Sequence, residues 1–259
     1  MADWSAAQYL KFADERTQPA VDLAGRIQRD GAETVVDVGC GPGNSTHVLA
    51  QRFPGADVLG VDNSPAMIDQ ARREHPELRF ALCDIATELD HLPGDFDVVF
   101  SNACLQWVPD HPRLVPALMR RLRPGGCLAV QVPDHAHAPV HRIIQEVVRR
   151  PRWAPHFEEP QIFFTLPQDD YYDLLRPLSA EVTLWQTTYI HLLRAHQEIL
   201  EWYRGSGLRP YLDQLAGADR ADFEQALLDE VVKAFPRQRT GEILFRFTRF
   251  FFIATAPAG

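Results

Sequence analysis

From Thr34 onward, short apolar and β-branched runs alternate with segments whose apolar positions recur at helical spacing. TVVDVG, DVLGVD, LRFALCD, FDVVFSN and GCLAVQVP read as strands; NSTHVLAQRF, SPAMIDQARREH and HPRLVPALMRRL read as the helices between them. That alternation predicts βαβ units and a parallel sheet covered on both faces. Ser64 followed by Pro65 pairs a capping hydroxyl with a residue pre-set for the first helical turn, which places Asp62 at a strand's carboxyl end. After Asp134 the pattern changes. HAPVHRIIQEVVRR is helical, RWAPHFEEPQIFFTLP is a proline-broken loop, and EVTLWQTTYIHLL is a long strand. Three helix-like segments follow, around AHQEILEWYRGSG, PYLDQLAG and RADFEQALLDEVVKAF, and the aromatic, β-branched EILFRFTRFFFIATAP closes the chain as a final strand. The expected fold is α/β, a Rossmann-like doubly wound, mostly parallel sheet with a helical insertion between the last two strands.

Length and composition narrow the class. The 259 residues are 46% hydrophobic and 24% charged, ordinary globular usage, so neither disorder nor a fibrous repeat is indicated. The charged N-terminal stretch has no apolar segment of the secretory type, and no later run reaches the ~20 apolar residues of a membrane helix, so the expected compartment is the cytoplasm. Four scattered cysteines without a CxxC pair argue against a zinc site or a disulfide framework; they read as reduced packing residues, and no metal is expected. A net charge of -9 argues against nucleic acid as a partner. Between Lys233 and Arg249, however, five cations face one acid, which suits a small anionic substrate. No membrane and no obligatory protein partner is indicated.

The candidate chemistry begins at TVVDVGCGPGNST, where Asp37 precedes glycines at every second position: Gly39, Gly41 and Gly43. Strand, glycine loop, helix is the plan of a ligand site at the carboxyl ends of a parallel sheet. A dinucleotide fits poorly. Asn44 stands where the third glycine of GxGxxG would follow, and Pro42 has no N–H to offer a pyrophosphate. An uncharged nucleoside with an amino-acid tail fits better, with Asp37 near a cationic group. Asp62, at the end of the next strand, can accept from both hydroxyls of a ribose, and Asp84, in CDI, can accept from an exocyclic amine. The fourth tip, SNACLQW, supplies Asn102, Gln106 and Trp107. Taken singly, Asp37 could simply support a helix and Asp62 a turn; together and in order the acids point to one ligand.

DVGCGPG, VDNSP, CDI and SNACLQWVPD, in this order and spacing, resemble the class I S-adenosylmethionine-dependent methyltransferases. The resemblance implies S-adenosyl-L-methionine as cofactor. Gly39, Gly41 and Gly43, supported by Asp37, would lie against its methionine end, with Asp62 and Asn63 at the ribose and Asp84 and Ile85 at the adenine. The flanking stretches DWSAAQYLKFADERTQPAVDL, SNACLQWVPDH, VQVPDH and GLRPYL are similar to a branch of that family that esterifies a carboxylate of a small tricarboxylic acid, trans-aconitate. In that reading residues 1–33 form a helical lid, 34–134 the cofactor-binding core, and 135–259 the rest of the sheet with a substrate-binding insertion, all in one structural domain.

A carboxylate is already ionised at neutral pH, so attack on a sulfonium methyl group needs no general base, and no catalytic side chain is expected. The reaction needs in-line alignment at ~3 to 3.5 Å. It also needs a dry site, because water stabilises the separated charges of the reactants more than the transition state. Arginine, whose planar fork matches carboxylates, should hold the others. Arg16, Arg209, Arg246 and Arg249 are candidates. Arg246 and Arg249 point to opposite faces of a regular strand, and Arg249, on an otherwise aromatic face, is the one that demands an anion. Tyr9, Phe12 and Arg16 share a helical stripe that could lie over the ligands, and Trp202 and Tyr203, beside Gly205 and Gly207, could form a closing wall. His135 and His137 have no part in this chemistry; His135 poised at the methyl group would favour a hydroxyl acceptor instead. The residues by themselves also admit an amine or carrier-bound acyl acceptor, a non-catalytic nucleoside-binding protein, or a nicotinamide-dependent oxidoreductase.

Overall fold

The computed structural model describes residues 13–157, 163–204 and 207–259. The chain runs α1 (Ala13–Arg26), β1 (Thr34–Val38), α2 (Asn44–Arg52), β2 (Asp57–Asp62), α3 (Pro65–Glu74), β3 (Arg79–Leu82), β4 (Phe96–Asn102), α4 (His111–Met119) and β5 (Leu122–Pro133). It continues through α5 (Pro139–Val148), α6 (Gln168–Leu175), β6 (Glu181–Leu193), α7 (His196–Arg204), α8 (Arg209–Leu212), α9 (Gly217–Ala234) and β7 (Ile243–Thr255). The sheet order is β3-β2-β1-β4-β5-β7-β6. β1 to β5 are parallel, and β7 lies antiparallel to β5 with Pro133 opposite Arg249. The expected doubly wound sheet and the helical insertion between the last two strands are both present. The sequential order of strands reverses at β1 and β4, and that reversal opens a crevice at their carboxyl ends.

Each strand forms for the reason its sequence suggests. β4 is buried almost throughout and β1 nearly so, as continuous apolar runs covered on both faces should be. β6 alternates exposed and half-buried positions because it is the edge. Asp97, buried at the base of β4, accepts from the backbone N–H groups of Glu33 and Thr34 and from Arg29, which fixes the start of β1 against β4. Despite its burial, those hydrogen bonds hold the Asp97 carboxyl below the usual range. α6 is one element the sequence pattern does not announce. Only eight residues long and bracketed by prolines, it has Asp169 and Asp170 in its first turn, where acids favour a helix start.

The chain divides into two compact units, one of residues 1–133, 163–186 and 249–259, the other of residues 134–162 and 187–248. In the first, one sheet face buries Val36, Val38, Val99, Leu128 and Val130 against Leu105, Leu114 and Leu118. In the second, Trp153 packs edge-on against Phe223 of α9 and Phe157 edge-on against Tyr211 of α8, with Phe157 and Phe223 tilted on each other. No helix among the described residues is long and apolar enough to cross a membrane.

Candidate functional site

The glycine loop is built from the strand below it. Asp37, 0% exposed in the middle of the sheet, accepts through Oδ2 from the hydroxyls of Ser45 (2.6 Å) and Thr46 (2.7 Å). These hydroxyls lie in the first turn of α2, so the carboxylate pins the helix start over the end of β1. Its Oδ1 is buried with no hydrogen-bond partner among the described residues. Burial pushes the Asp37 carboxyl up to about 6, although the two hydroxyls pull the other way. Gly39 and Cys40 donate their N–H groups to the Val61 carbonyl (2.7 and 2.9 Å), and Gly41 donates to Asp62 Oδ2 (3.0 Å). A Cβ on Gly39 would lie 2.1 Å from Cys104 Sγ, whereas one on Gly41 would meet nothing within 4 Å. The first glycine therefore serves close packing and the second faces open space.

The other strand tips carry the remaining candidate residues. Asp62 Oδ1 accepts from Ser64 N–H (2.9 Å), Ser64 caps α3 through Met67 N–H, and Asn63 between them is exposed. Burial raises the Asp62 carboxyl while the Ser64, Gly41 and Asn63 amides oppose it. Asp84, half-buried, accepts from Ala86 N–H (3.0 Å), and Ile85 beside it enters the apolar core. Ser101 donates to the Val38 carbonyl (2.9 Å), joining the tips of β4 and β1. Beyond it Gln106 donates to the Ala103 carbonyl (2.8 Å), and Trp107 lies against Phe163 (5.0 Å between ring centres). His111 sets this turn: its Nε2 donates to the Leu105 carbonyl (2.8 Å), leaving Nδ1 to accept from Tyr171. A cavity above the loop is lined by Thr17, Ala20, Gly39, Cys40, Pro42, Asn44, Ser45 and Asn102.

The acceptor candidates are placed less uniformly. Tyr9, Phe12, Gly205 and the Arg16 side chain lie outside the described residues. Trp202 and Tyr203 are buried on α7 within a ring cluster of His191, Phe245 and Phe247, so they are core residues and form no exposed wall. Arg246 is exposed and Arg249 is 5% exposed, the opposite faces expected from strand geometry. Arg209 is 25% exposed and meets Asp213 on its own helix at 3.5 Å, so part of its charge is already offset. His137 is exposed and paired with Asp134 (2.9 Å), while His135 is buried near His141 and Phe247. Among the described residues one group could gather round a metal ion, His47, His75 and Glu77, with ligand atoms within 4.8 Å of one another behind Gly43. The cysteines are free, and Cys104 packs against Gly39.

Sequence reasoning missed Ser45 and Thr46, the hydroxyls on Asp37, and Thr17, whose hydroxyl accepts from Asn44 Nδ2 at 3.4 Å. The consecutive hydroxyls after the glycine run, in the first helical turn, were the available signal. Among the described residues that line the cavity there is no cation that would hold a phosphate. The unpartnered buried oxygens at the tips, Asp37 Oδ1, Asn102 Oδ1 and Gln106 Oε1, are acceptors and fit a donor-rich, cationic ligand such as the methionine end of S-adenosylmethionine.

This sheet, with its glycine loop and acidic strand tips, defines a Rossmann-like methyltransferase. A family model described as a methyltransferase domain matches residues 35–126, and the YcgJ protein of Bacillus subtilis, 15% identical, superposes with a TM-score of 0.62 over 93% of this chain and 100% of its own. The chain belongs to the trans-aconitate 2-methyltransferase family. It is 45% identical over 98% of both chains to the trans-aconitate 2-methyltransferase of Methylobacterium nodulans, and 44% identical over the whole of both chains to that of Variovorax paradoxus.

Proposed function

We propose that this enzyme uses S-adenosylmethionine to convert one carboxylate of trans-aconitate into its methyl ester. The observation that carries the reading is the 45% identity, end to end, with a relative of that name. When bound, the cofactor supplies a methyl carbon made electrophilic by its sulfonium. Asp62, oriented by the Gly41 and Ser64 amides, accepts from the ribose hydroxyls, and Asp84 accepts from the adenine amine beside Ile85. Gly41 lets the backbone approach the methionine end, where Asp37, Asn102 and Gln106 offer acceptor oxygens. Trp107 and Phe163 shield the β4 tip from water. Arg249 supplies a buried positive charge for the non-reacting carboxylates, and the small anionic substrate needs no base because it arrives ionised.

Incubation with methyl-labelled cofactor and a panel of small acids, followed by mild base, tests the bond formed. A methyl ester releases volatile labelled methanol, with trans-aconitate the best acceptor in the panel. Label that stays with the product through base would mean an ether or N-methyl product and would overturn the reading.

A further inference from the structure

One register row of the sheet holds more unsatisfied polar atoms than folding explains. Gln131 of β5 is 0% exposed, and among the described residues neither its Oε1 nor its Nε2 has a hydrogen-bond partner. It lies between Asn102 of β4 and Phe251 of β7, so the three side chains share one face, the face that carries Asp37 one row below through Phe100 and Ala129. Beyond Phe251, Trp185 of β6 stacks on that ring at 4.9 Å and 6°, and its Nε1 is also buried without a partner. Buried amides are almost always satisfied, and a methionine of similar volume would remove the cost of this one.

The unpartnered atoms are ordered by sign. Toward the glycine loop they are acceptors, Asp37 Oδ1 and Asn102 Oδ1. Away from it they are donors, Gln131 Nε2 and Trp185 Nε1, with Gln131 Oε1 at the boundary. Positive charge collects at the donor end. The Arg26 guanidinium lies 4.4 Å from the Trp185 ring centre, and the buried Arg249 is on the same face as Phe251, in the row of Pro133. A face that runs from acceptors to donors matches a cationic methyl donor beside an anionic acceptor. We propose that Gln131 and Trp185 form the subsite for an acceptor carboxylate, each donating an N–H to it, with Gln131 Oε1 turned toward the cationic donor. Neutral N–H donors hold an anion without neutralising it, so the oxygen that must attack keeps its charge.

This assignment rests on the ester-forming reading, and binding experiments separate the two. Calorimetry measures trans-aconitate binding to the enzyme saturated with S-adenosylhomocysteine, and thermal unfolding is followed without ligands. Gln131→Met should weaken acid binding at least tenfold, leave S-adenosylhomocysteine affinity within twofold, and raise the unliganded melting temperature because the orphaned amide is gone. Trp185→Phe, which keeps the stacked ring and loses only the donor, should weaken the acid about threefold or more with the same selectivity. In turnover the loss should fall on KM more than on kcat. Should Gln131→Met fail to fold, the Trp185→Phe result decides. Acid affinity unchanged in both variants, or lost in parallel with the nucleoside, would overturn the subsite. A wild-type enzyme that binds and esterifies no carboxylic acid would instead sink the ester reading.

Discussion

Asp37 is a carboxylate taken out of water at the centre of the sheet and given two hydroxyls in return. That exchange is incomplete, which is why its proton is held up to about 6, against 3.8 for an ordinary aspartate. The sign of the consequence follows from linkage: an acid whose folded value is raised contributes stability below the unfolded value, and that contribution is lost as pH rises through the folded one. For a fully buried group the difference is worth about 3 kcal/mol. Asp37→Asn, without cofactor, should therefore lose less stability than the wild type between about pH 4 and pH 6, and denaturant titrations across that range measure the difference. A cationic ligand reverses the balance by favouring the ionised form. Cofactor binding to the wild type below about pH 6 should release a proton, read by calorimetry in buffers of different ionisation enthalpy, and the asparagine variant should release less. Equal proton release in both would remove Asp37 from any role as counter-charge.

The strand–loop–helix element that Asp37 anchors divides its glycines between two tasks. Gly39 has φ +75° and Gly41 φ +54°, both in the left-handed region that costs a side-chain-bearing residue about 1 kcal/mol. Only Gly39 also meets a neighbour, Cys104. Gly39→Ala should thus cost about 3 kcal/mol of stability, partly recovered by Cys104→Gly, because overpacking adds to the backbone term. Gly41→Ala should cost only about 1 kcal/mol yet weaken the cofactor at least tenfold, since its methyl group enters the space left for the ligand. Paired unfolding and binding curves check this: cofactor affinity unchanged in Gly41→Ala would mean that this glycine, too, serves only the turn. The element itself was legible in the sequence because each buried strand is a continuous apolar run, and a run that ends in an acid and glycines has few other uses. α6 was not, since eight residues between prolines give too little periodicity to separate helix from loop. Nor was the status of Trp202 and Tyr203: an aromatic pair on a helix reads equally as wall or core, and only Phe245 and Phe247 packing on them decides for core. Gln131 was invisible for a related reason. In GCLAVQVP it is one polar residue in a strand, and its lack of partners exists only in three dimensions.

At the scale of the whole molecule, a protein of net charge -9 takes a substrate that is itself a polyanion, so recognition has to come from local charge and not from the overall field. Arg249 and Arg209 were both candidates on the sequence, with Arg249 the favoured one, and their surroundings now separate them further. Arg249 is 5% exposed on an aromatic strand face, where its charge is little screened by water; Arg209 is partly solvated and meets Asp213. Replacing either with Met keeps much of the stem volume and deletes the guanidinium fork. Arg249→Met should therefore reduce kcat/KM for trans-aconitate by about two orders of magnitude, the loss expected for a charged hydrogen-bonding partner of ~2–3 kcal/mol. A monocarboxylic analogue has no second carboxylate for the arginine to hold, so its kcat/KM should fall little and the two substrates should converge. Cofactor affinity, which reports on the glycine loop, should not move. Arg209→Met should change the ratio between the two substrates by less than about threefold, because Asp213 already offsets that charge. Steady-state kinetics with both acids on both variants decides the matter: an equal fall for the two substrates in Arg249→Met would make the arginine structural, and convergence in Arg209→Met alone would move the carboxylate clamp to α8.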